Sequence, residues 1–396
     1  MRLCIATSSY PSRGENSFAG SFVRDFAKEL VRQGVDVSVF SQEVGQPHLD
    51  DDGIDLITFP WAGKATPLST LRLHRPWDVL NMGWLLNRGS RRLLDHCQYA
   101  KVDFLLAMWA LPAGHWAMNV KRRAGVPFAV WCLGSDIWMY GRLPVLKLWV
   151  RKILRQSRYC FADGRSLVDE VRALSGMPCT FLPTTRRLPK EGLPELSLDP
   201  QKSHYLFVGR YHPNKGPDIL LEAIHLMDRK SLSKVQFHFF GVGSLEGNLK
   251  RKVLEYGLSE HVTLQGPADE YTVAALLKRC AALIVPSRIE SIPVILSDAL
   301  QVGCDLIVTD VGDMGPLVRS YQAGMVVEKA APGPLRDAIQ NHVDGKYNAF
   351  TEGRRRLYGL FDLEESVRTF LKRIEPLLQG AHRCYPYGIN NHHNTL

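Results

Sequence analysis

The sequence contains no pair of cysteines at C-x-x-C spacing. Its eight cysteines, at 4, 97, 132, 160, 179, 280, 304 and 384, mostly sit in apolar runs such as "VWCLG" and "RCAALIV". This argues against a zinc ribbon or a disulfide framework, and for buried free thiols in a reducing compartment. The thirteen histidines lack H-E-x-x-H or comparable ligand spacing, and His392 and His393 adjoin in a polar tail, so no metal site is expected. No uninterrupted apolar run reaches the ~18 residues of a membrane-spanning helix. The opening "MRLCIATSSYPS" has no apolar core followed by a small-residue cleavage site, so no secretory signal is expected. No helix-turn-helix or other nucleic-acid module accompanies the basic residues, which argues against a nucleic-acid partner.

What is present is an ordinary globular composition: 396 residues, 45% hydrophobic and 22% charged. That length exceeds what one core usually fills, so two domains are expected. "RLCIATSS" predicts a strand. After the loop "YPSRGENSFAG", Phe22, Phe26 and Leu30 recur every four residues and predict an amphipathic helix closed by Gly34. "VDVSVF" predicts the next strand. Strand, helix, strand is a βαβ unit and implies a parallel sheet. Periodicity vanishes over "LPTTRRLPKEGLPELSLDPQKS", then strand and helix patterns alternate again from "HYLFVG" to "CDLIVTD". The expected fold is therefore α/β, with two Rossmann-like doubly wound domains facing across a cleft. Residues 1–185 form the first, 186–202 a linker, 203–380 the second and 381–396 a polar tail.

Charge is unevenly placed on this chain of net charge +9. Between Lys121 and Arg158 nine basic residues face the single acid Asp136. Within "PVLKLWVRKILRQSR", Lys147, Arg151, Arg155 and Arg158 share one helical face, and Leu146, Trp149, Val150 and Ile153 lie mostly on another. Two readings stay open: a core-packed helix with a wet basic face, or a surface that meets anionic lipid headgroups.

In open α/β sheets, ligands bind beyond the carboxyl ends of the strands. Arg210 and Lys215 follow the strand "LFVG" and precede a helix whose N-terminus offers free amides. Arg288 and Glu290 follow "LIVPS". Glu290 lies in the loop before a helix, and Asp298 about one and a half turns inside it. Pro293 suits position N1 of that helix. Two carboxylates, two cations and helix N-termini suit a molecule that carries both hydroxyls and a diphosphate, a nucleotide sugar.

The segment from "FVGRYHPNKGPDILLEAI" through "IVPSRIESIPVILSDALQVGCDLIVTDVGDM" resembles the C-terminal domain of retaining GT-B glycosyltransferases of family 4, over roughly Leu206 to Val327. "SSYPSRGENSFAGSFVRDFAKELVRQGVDVSVF" resembles that family's first loop and helix, and "WALPAGHWA" does so more weakly. The resemblance implies that Arg210 and Lys215 hold the donor diphosphate. It implies that Glu290 contacts the transferred sugar, Asp298 binds the ribose hydroxyls, Gly20 lets the first loop approach the phosphates and backbone near Gly266 recognises the base. It implies catalysis without a metal or cofactor, by electrostatic stabilisation of the leaving diphosphate. It also implies that the final helical stretch, "LEESVRTFLKRIEPLL", returns to the first domain.

The sequence departs from the family pattern in several places. E-x7-E reads E-x7-D here. Leu133 stands where the H-G-S-D loop has histidine, Leu106 and Met108 stand at other frequent histidine positions, and "LPTTRR" replaces P-N-G. The acceptor side is thus less like the family than the donor side. Asp136 either faces the cleft as an acceptor-side residue or caps the following segment. The expected activity is transfer of a hexose to a hydroxyl of a glycan or lipid-linked acceptor, in cell-surface polysaccharide or glycolipid synthesis. The expected location is the cytoplasm, at the inner face of the cell membrane where an anionic surface is a partner. A sugar epimerase on the same fold and a catalytically silent nucleotide-sugar or lipid-binding protein are the alternatives.

Overall fold

Apolar runs such as "FLLAM" and "FAVWC" are buried along their whole length, as strands covered on both faces must be. In the computed structural model they are the central strands of a seven-stranded sheet. Its members are β1 (Arg2–Ala6), β2 (Asp36–Gln42), β3 (Ile54–Phe59), β4 (Phe104–Met108), β5 (Phe128–Cys132), β6 (Tyr159–Ala162) and β7 (Cys179–Phe181), in the spatial order 3-2-1-4-5-6-7. All six pairings are parallel, with Leu3 opposite Val37 on one side and Phe104 on the other. The structure describes residues 1–13, 20–43, 46–47, 53–61, 75–138, 140, 143–347 and 350–381. Residues 14–19 of the first loop, Arg142 and the tail beyond Ala381, with Cys384, His392 and His393, lie outside them.

A second parallel sheet follows: β8 (Ser203–Val208), β9 (Val235–Phe240), β10 (Val262–Gln265), β11 (Ala282–Val285), β12 (Asp305–Thr309) and β13 (Met325–Val327), ordered 10-9-8-11-12-13. Each sheet reverses its strand order once, between β1 and β4 and between β8 and β11. The carboxyl ends of those strands open a crevice for ligands. Two doubly wound domains are therefore present.

Helix Ser21–Arg32 buries Val23, Phe26, Ala27 and Leu30 on one face of the first sheet. The last helix, Leu363–Ala381, lies on that same face. Its Leu363, Val367, Phe370 and Ile374, spaced four, three and four apart, form one buried stripe. Phe370 meets Phe26 and Phe161 at ring-centroid distances of 5.6 and 5.5 Å. The chain thus ends its described part on the domain where it began. The opposite face is covered by Pro76–Tyr99, His115–Ala124, Pro144–Gln156 and Arg165–Ser175.

Seven cysteines are described; all are buried and unpaired. Burial pushes the Cys160 thiol up to about 11 and that of Cys4 to about 12, so these thiols stay protonated and unreactive at neutral pH. Among the described residues, no helix is long and apolar enough to cross a membrane.

One buried polar chain crosses the second domain. His204 Nε2 lies 2.9 Å from the Asp199 carbonyl, which can only accept. His204 Nδ1 lies 2.9 Å from His238 Nε2, and His238 Nδ1 lies 3.0 Å from the Thr263 hydroxyl. Burial first, and then His204, hold His238 down to about 4. A histidine depressed in the fold contributes stability above its unfolded value near 6.5, and that stability drains away as pH falls toward 4. The melting temperature should drop by several degrees across this window, measured by circular dichroism. His238→Phe should flatten that drop, and an unchanged slope in the variant would assign it elsewhere.

Candidate active site

Of the predicted donor-side residues, Arg210, Lys215 and Glu290 converge at the switch point of the second sheet. After β8 the chain passes Gly209 and Arg210 and makes a short turn, Pro213–Lys215. It then enters helix Pro217–His225 through Gly216, whose φ of 69° is left-handed. A methyl group on Gly216 would collide with the Pro286 carbonyl, so this loop and the one after β11 touch through a position that only glycine fits. The Arg288 amide donates to the Asn214 carbonyl at 2.8 Å. The Arg288 guanidinium grips Asp218 with two contacts of 2.8 and 2.6 Å and donates to the Pro213 carbonyl at 2.7 Å. Burial alone would raise the Asp218 carboxyl; the contacts to Arg288 outweigh it and hold the group below its ordinary range.

That frame places Lys215 against Glu290. The ammonium is hydrogen-bonded to Glu290 Oε2, and both side chains are partly open to solvent. Glu290 lies in the loop, as the sequence indicates; the following helix is Val294–Val302, with Pro293 at its N-cap one place before the N1 assignment. Gly312, in the loop after β12, is left-handed at φ 53° and abuts the Glu290 carbonyl. Arg210 is exposed on the same rim, and among the described residues its guanidinium has no protein partner. Gly266 follows β10, the edge strand of this sheet, and is exposed with open space around it.

On the first domain, Gly20 precedes helix Ser21–Arg32 with φ 82°, and a side chain there would run into the Ser9 carbonyl. It joins the loop after β1 to the helix start, opposite the donor-side loops. Asp136 is wholly buried. Its two carboxylate oxygens accept from the Ala110 amide at 2.8 Å and the Leu133 amide at 3.2 Å. Burial raises its pKa to about 6 against these backbone bonds. The carboxylate thus orders the loops after β4 and β5.

Asp298 sits apart from Glu290. It is completely buried, and Arg186 binds it with Nε at 3.0 Å from each oxygen and Nη2 at 2.5 Å from Oδ2. The remaining Arg186 nitrogen, Nη1, lies 3.3 Å from Ser21 Oγ, one residue after Gly20. Burial pushes the Asp298 carboxyl up, and Arg186 opposes it. Around this pair the domains are stitched together. The Arg187 amide donates to Asp25 at 2.9 Å, Arg187 Nη2 to Glu29 at 3.0 Å, and Arg24 to Glu270 at 2.8 Å.

A second stitch lies beside Glu290. Ser291 Oγ donates to Asp163 at 3.2 Å, and Asp313 accepts from the Ser166 amide and hydroxyl, the latter at 2.6 Å. Sequence reading missed Arg186, Asp163, Ser291 and Asp313 as site residues. The signal for Arg186 lay in two departures read separately, a shortened acid at 298 and arginines in "LPTTRR". Asp163 and Asp313 belong to different domains, and no spacing connects them.

Lys147, Arg151, Arg155 and Arg158 are all exposed, with Arg155 Nε donating to the Ser175 carbonyl at 2.9 Å; the helix ends at Gln156, so Arg158 lies beyond it and does not share the helical face expected for it. Val150 and Ile153 are buried beneath them, and Trp149 rests edge-on against His115 at 4.9 Å between ring centroids.

Comparison with known proteins follows the same division. Residues 19–183 match the family model described as glycosyl transferase 4-like domain, and residues 192–356 match glycosyl transferases group 1. The chain is similar to a protein of Jonesia denitrificans named D-inositol 3-phosphate glycosyltransferase, 29% identical over 372 residues, 85% of this chain and 86% of the relative. It spans about half the length, 47%, of another glycosyltransferase relative that is 33% identical over 182 residues. Among solved structures, sucrose-phosphate synthase from Thermosynechococcus elongatus superposes with a TM-score of 0.77 at 17% identity, covering 96% of this chain and 100% of that one. Anabaena HepE in complex with UDP-glucose does so with a TM-score of 0.70 at 13% identity, covering 95% and 100%. At these identities the superpositions establish the shared fold.

Proposed function

The chain belongs to the group 1 glycosyl transferases, and from that membership we propose that it transfers a hexose from a nucleoside diphosphate sugar to a hydroxyl of a glycan or lipid-linked acceptor, retaining anomeric configuration, in polysaccharide or glycolipid synthesis. The observation that carries this reading is the Lys215–Glu290 pair at the switch point of the second sheet, with Arg210 exposed on the same rim. An ammonium and a guanidinium at the start of a helix suit a departing diphosphate, and their charge acts most strongly as negative charge develops there. Glu290, hydrogen-bonded to Lys215 on that rim, suits a contact with the transferred hexose. No metal is required in this scheme, because Arg210 and Lys215 supply the positive charge. Recognition of UDP-glucose by the Anabaena protein supports a nucleotide sugar as the donor. The Jonesia relative's name supports a hydroxyl acceptor. The exposed basic face of Lys147, Arg151, Arg155 and Arg158 supports reversible docking at an anionic membrane surface on the cytoplasmic side, each charge contributing ~1 kcal/mol, weakened by salt.

A panel of nucleoside diphosphate sugars, assayed for acceptor-dependent nucleotide release, tests the reaction. Sugar transfer is the expected result; isomerisation without acceptor, or binding without turnover, would replace this reading. Within the same assay Glu290→Gln should lower kcat by ~10-fold or more while the unfolding midpoint stays near wild type, because the group acts on the sugar. A Glu290→Gln variant as fast as wild type would remove Glu290 from the reaction.

A further inference from the structure

Helix Arg165–Ser175 of the first domain starts without a cap of its own. Gly164 at its N-cap has no side chain to offer, and the first turn carries no acid. The Val168 amide reaches back to the Gly164 carbonyl at 2.9 Å, which leaves the amides before it in need of acceptors from outside the helix. The acceptor for one of them comes from the other domain. Both oxygens of Asp313, in the loop after β12, accept from the Ser166 amide at 3.1 and 3.0 Å, and Oδ1 also accepts from the Ser166 hydroxyl at 2.6 Å. Asp313 is itself the N-cap residue of helix Met314–Tyr321, yet its side chain makes no capping bond there. Its carboxylate instead caps a helix 147 residues away in sequence, where negative charge also meets the positive end of the helix dipole.

The fit at this junction is close. A methyl group on Gly164 would collide with both Asp313 Oδ2 and Ser291 Oγ. The Gly164 backbone, at φ −138°, is open to any residue, so glycine is needed here for room alone. The same junction holds the loop of Glu290. Ser291, the next residue in the chain, donates to Asp163 of the first domain at 3.2 Å. Gly312, which precedes Asp313, lies against the Glu290 carbonyl, where a side chain would collide. Glu290 is thus bracketed: the residue after it is tied to the first domain, and its own peptide is backed by the neighbour of the residue that caps that domain's helix.

We propose that Asp313 is a positioning residue for the transfer: by capping the first domain's helix it clamps the Glu290 loop between the domains, so that this carboxylate meets the sugar in register with an acceptor held on the first domain. This rests on the glycosyl-transfer reading above. Asp313 acts through the loop and not on the sugar itself.

Three variants test it. Asp313→Ala removes the cap. Gly164→Ala deletes no hydrogen-bonding group and fills the space that Asp313 and Ser291 occupy. Asp313→Asn keeps an oxygen for both the amide and the hydroxyl of Ser166, and asparagine caps as well as aspartate. With the donor found by the panel, Asp313→Ala and Gly164→Ala should each lower kcat ~10-fold or more and leave the KM for donor within ~2-fold, because Arg210 and Lys215 stay in place in the second domain. Asp313→Asn should regain about a third or more of the wild-type rate, because the cap is kept. Hydrogen exchange read by mass spectrometry follows the clamp without turnover. Peptides covering 164–168 and 288–293 should both exchange faster in Asp313→Ala and in Gly164→Ala, and return toward wild type in Asp313→Asn. Unchanged exchange over 288–293 in both Asp313→Ala and Gly164→Ala overturns the clamp, whatever the panel gives. A wild-type kcat in those two variants, or an Asp313→Asn variant as slow as Asp313→Ala, overturns the positioning role. If wild type transfers no sugar from any donor while the two variants loosen both peptides, the transferase reading falls and the clamp on Glu290 stands.

Discussion

Lys215→Ala is expected to lower turnover by ~100-fold or more. In the proposed reaction the ammonium stabilises charge on the leaving diphosphate, so its removal should act on kcat as well as on kcat/KM. The structure adds a second cost. Lys215 is the hydrogen-bonded partner of the Glu290 carboxylate, which is itself mostly buried. Without it Glu290 loses its hydrogen-bonded counter-ion, and the loop that carries it loses a tie to the turn Pro213–Lys215. Lys215→Arg should recover part of the rate, because charge returns in a different shape. Steady-state kinetics on the donor identified by the panel decides this, and an unchanged kcat/KM in Lys215→Ala would place the residue outside the site.

The second large effect falls on stability. Arg186→Ala leaves Asp298 wholly buried without its three N–H···O contacts. Breaking a buried ion pair by deleting one partner costs about 3–5 kcal/mol, because the orphaned charge keeps its desolvation penalty. The urea midpoint should fall accordingly. The double variant Arg186→Met/Asp298→Leu should recover most of the loss, since neither charge is then left in the interior. The same pair separates two roles for Asp298. As a tie between domains, Asp298→Asn destabilises the protein and leaves nucleotide affinity near wild type. As a ribose ligand, it lowers affinity in a protein that stays folded, which isothermal titration at a temperature well below unfolding can read. A midpoint unchanged in Arg186→Ala would mean that the pair contributes nothing to holding the domains.

The alternation of strand and helix was legible because it is a local property. Period-two and period-3.6 patterns arise from the geometry of single elements, and glycines such as Gly34 and Gly303 mark ends by allowing φ > 0. Parallel sheets followed from the connections, since a strand–helix–strand unit can close in few ways. That Arg210, Lys215 and Glu290 share one rim was legible for the same reason: each lies within a few residues of a strand end, and the fold gathers those ends. Gly20 needed only a helix start after a loop.

What sequence could not place were side chains whose partners come from another element of the fold. Asp298 was expected near the rim, yet a helix position specifies a direction only once something packs against it. The linker arginine Arg186 arrives on the side of that helix and takes both carboxylate oxygens. Asp136 was open between a cleft residue and a cap for the following segment, and the loops after two different strands supply backbone amides for it. The basic stripe of Pro144–Gln156 was visible as charge spacing, whereas the burial of Val150 and Ile153 beneath it depends on the elements packed against that helix. Local chemistry is written along the chain and can be read there. Burial and pairing depend on distances between elements that can lie more than a hundred residues apart, as with Arg186 and Asp298, and the tertiary structure alone sets those distances.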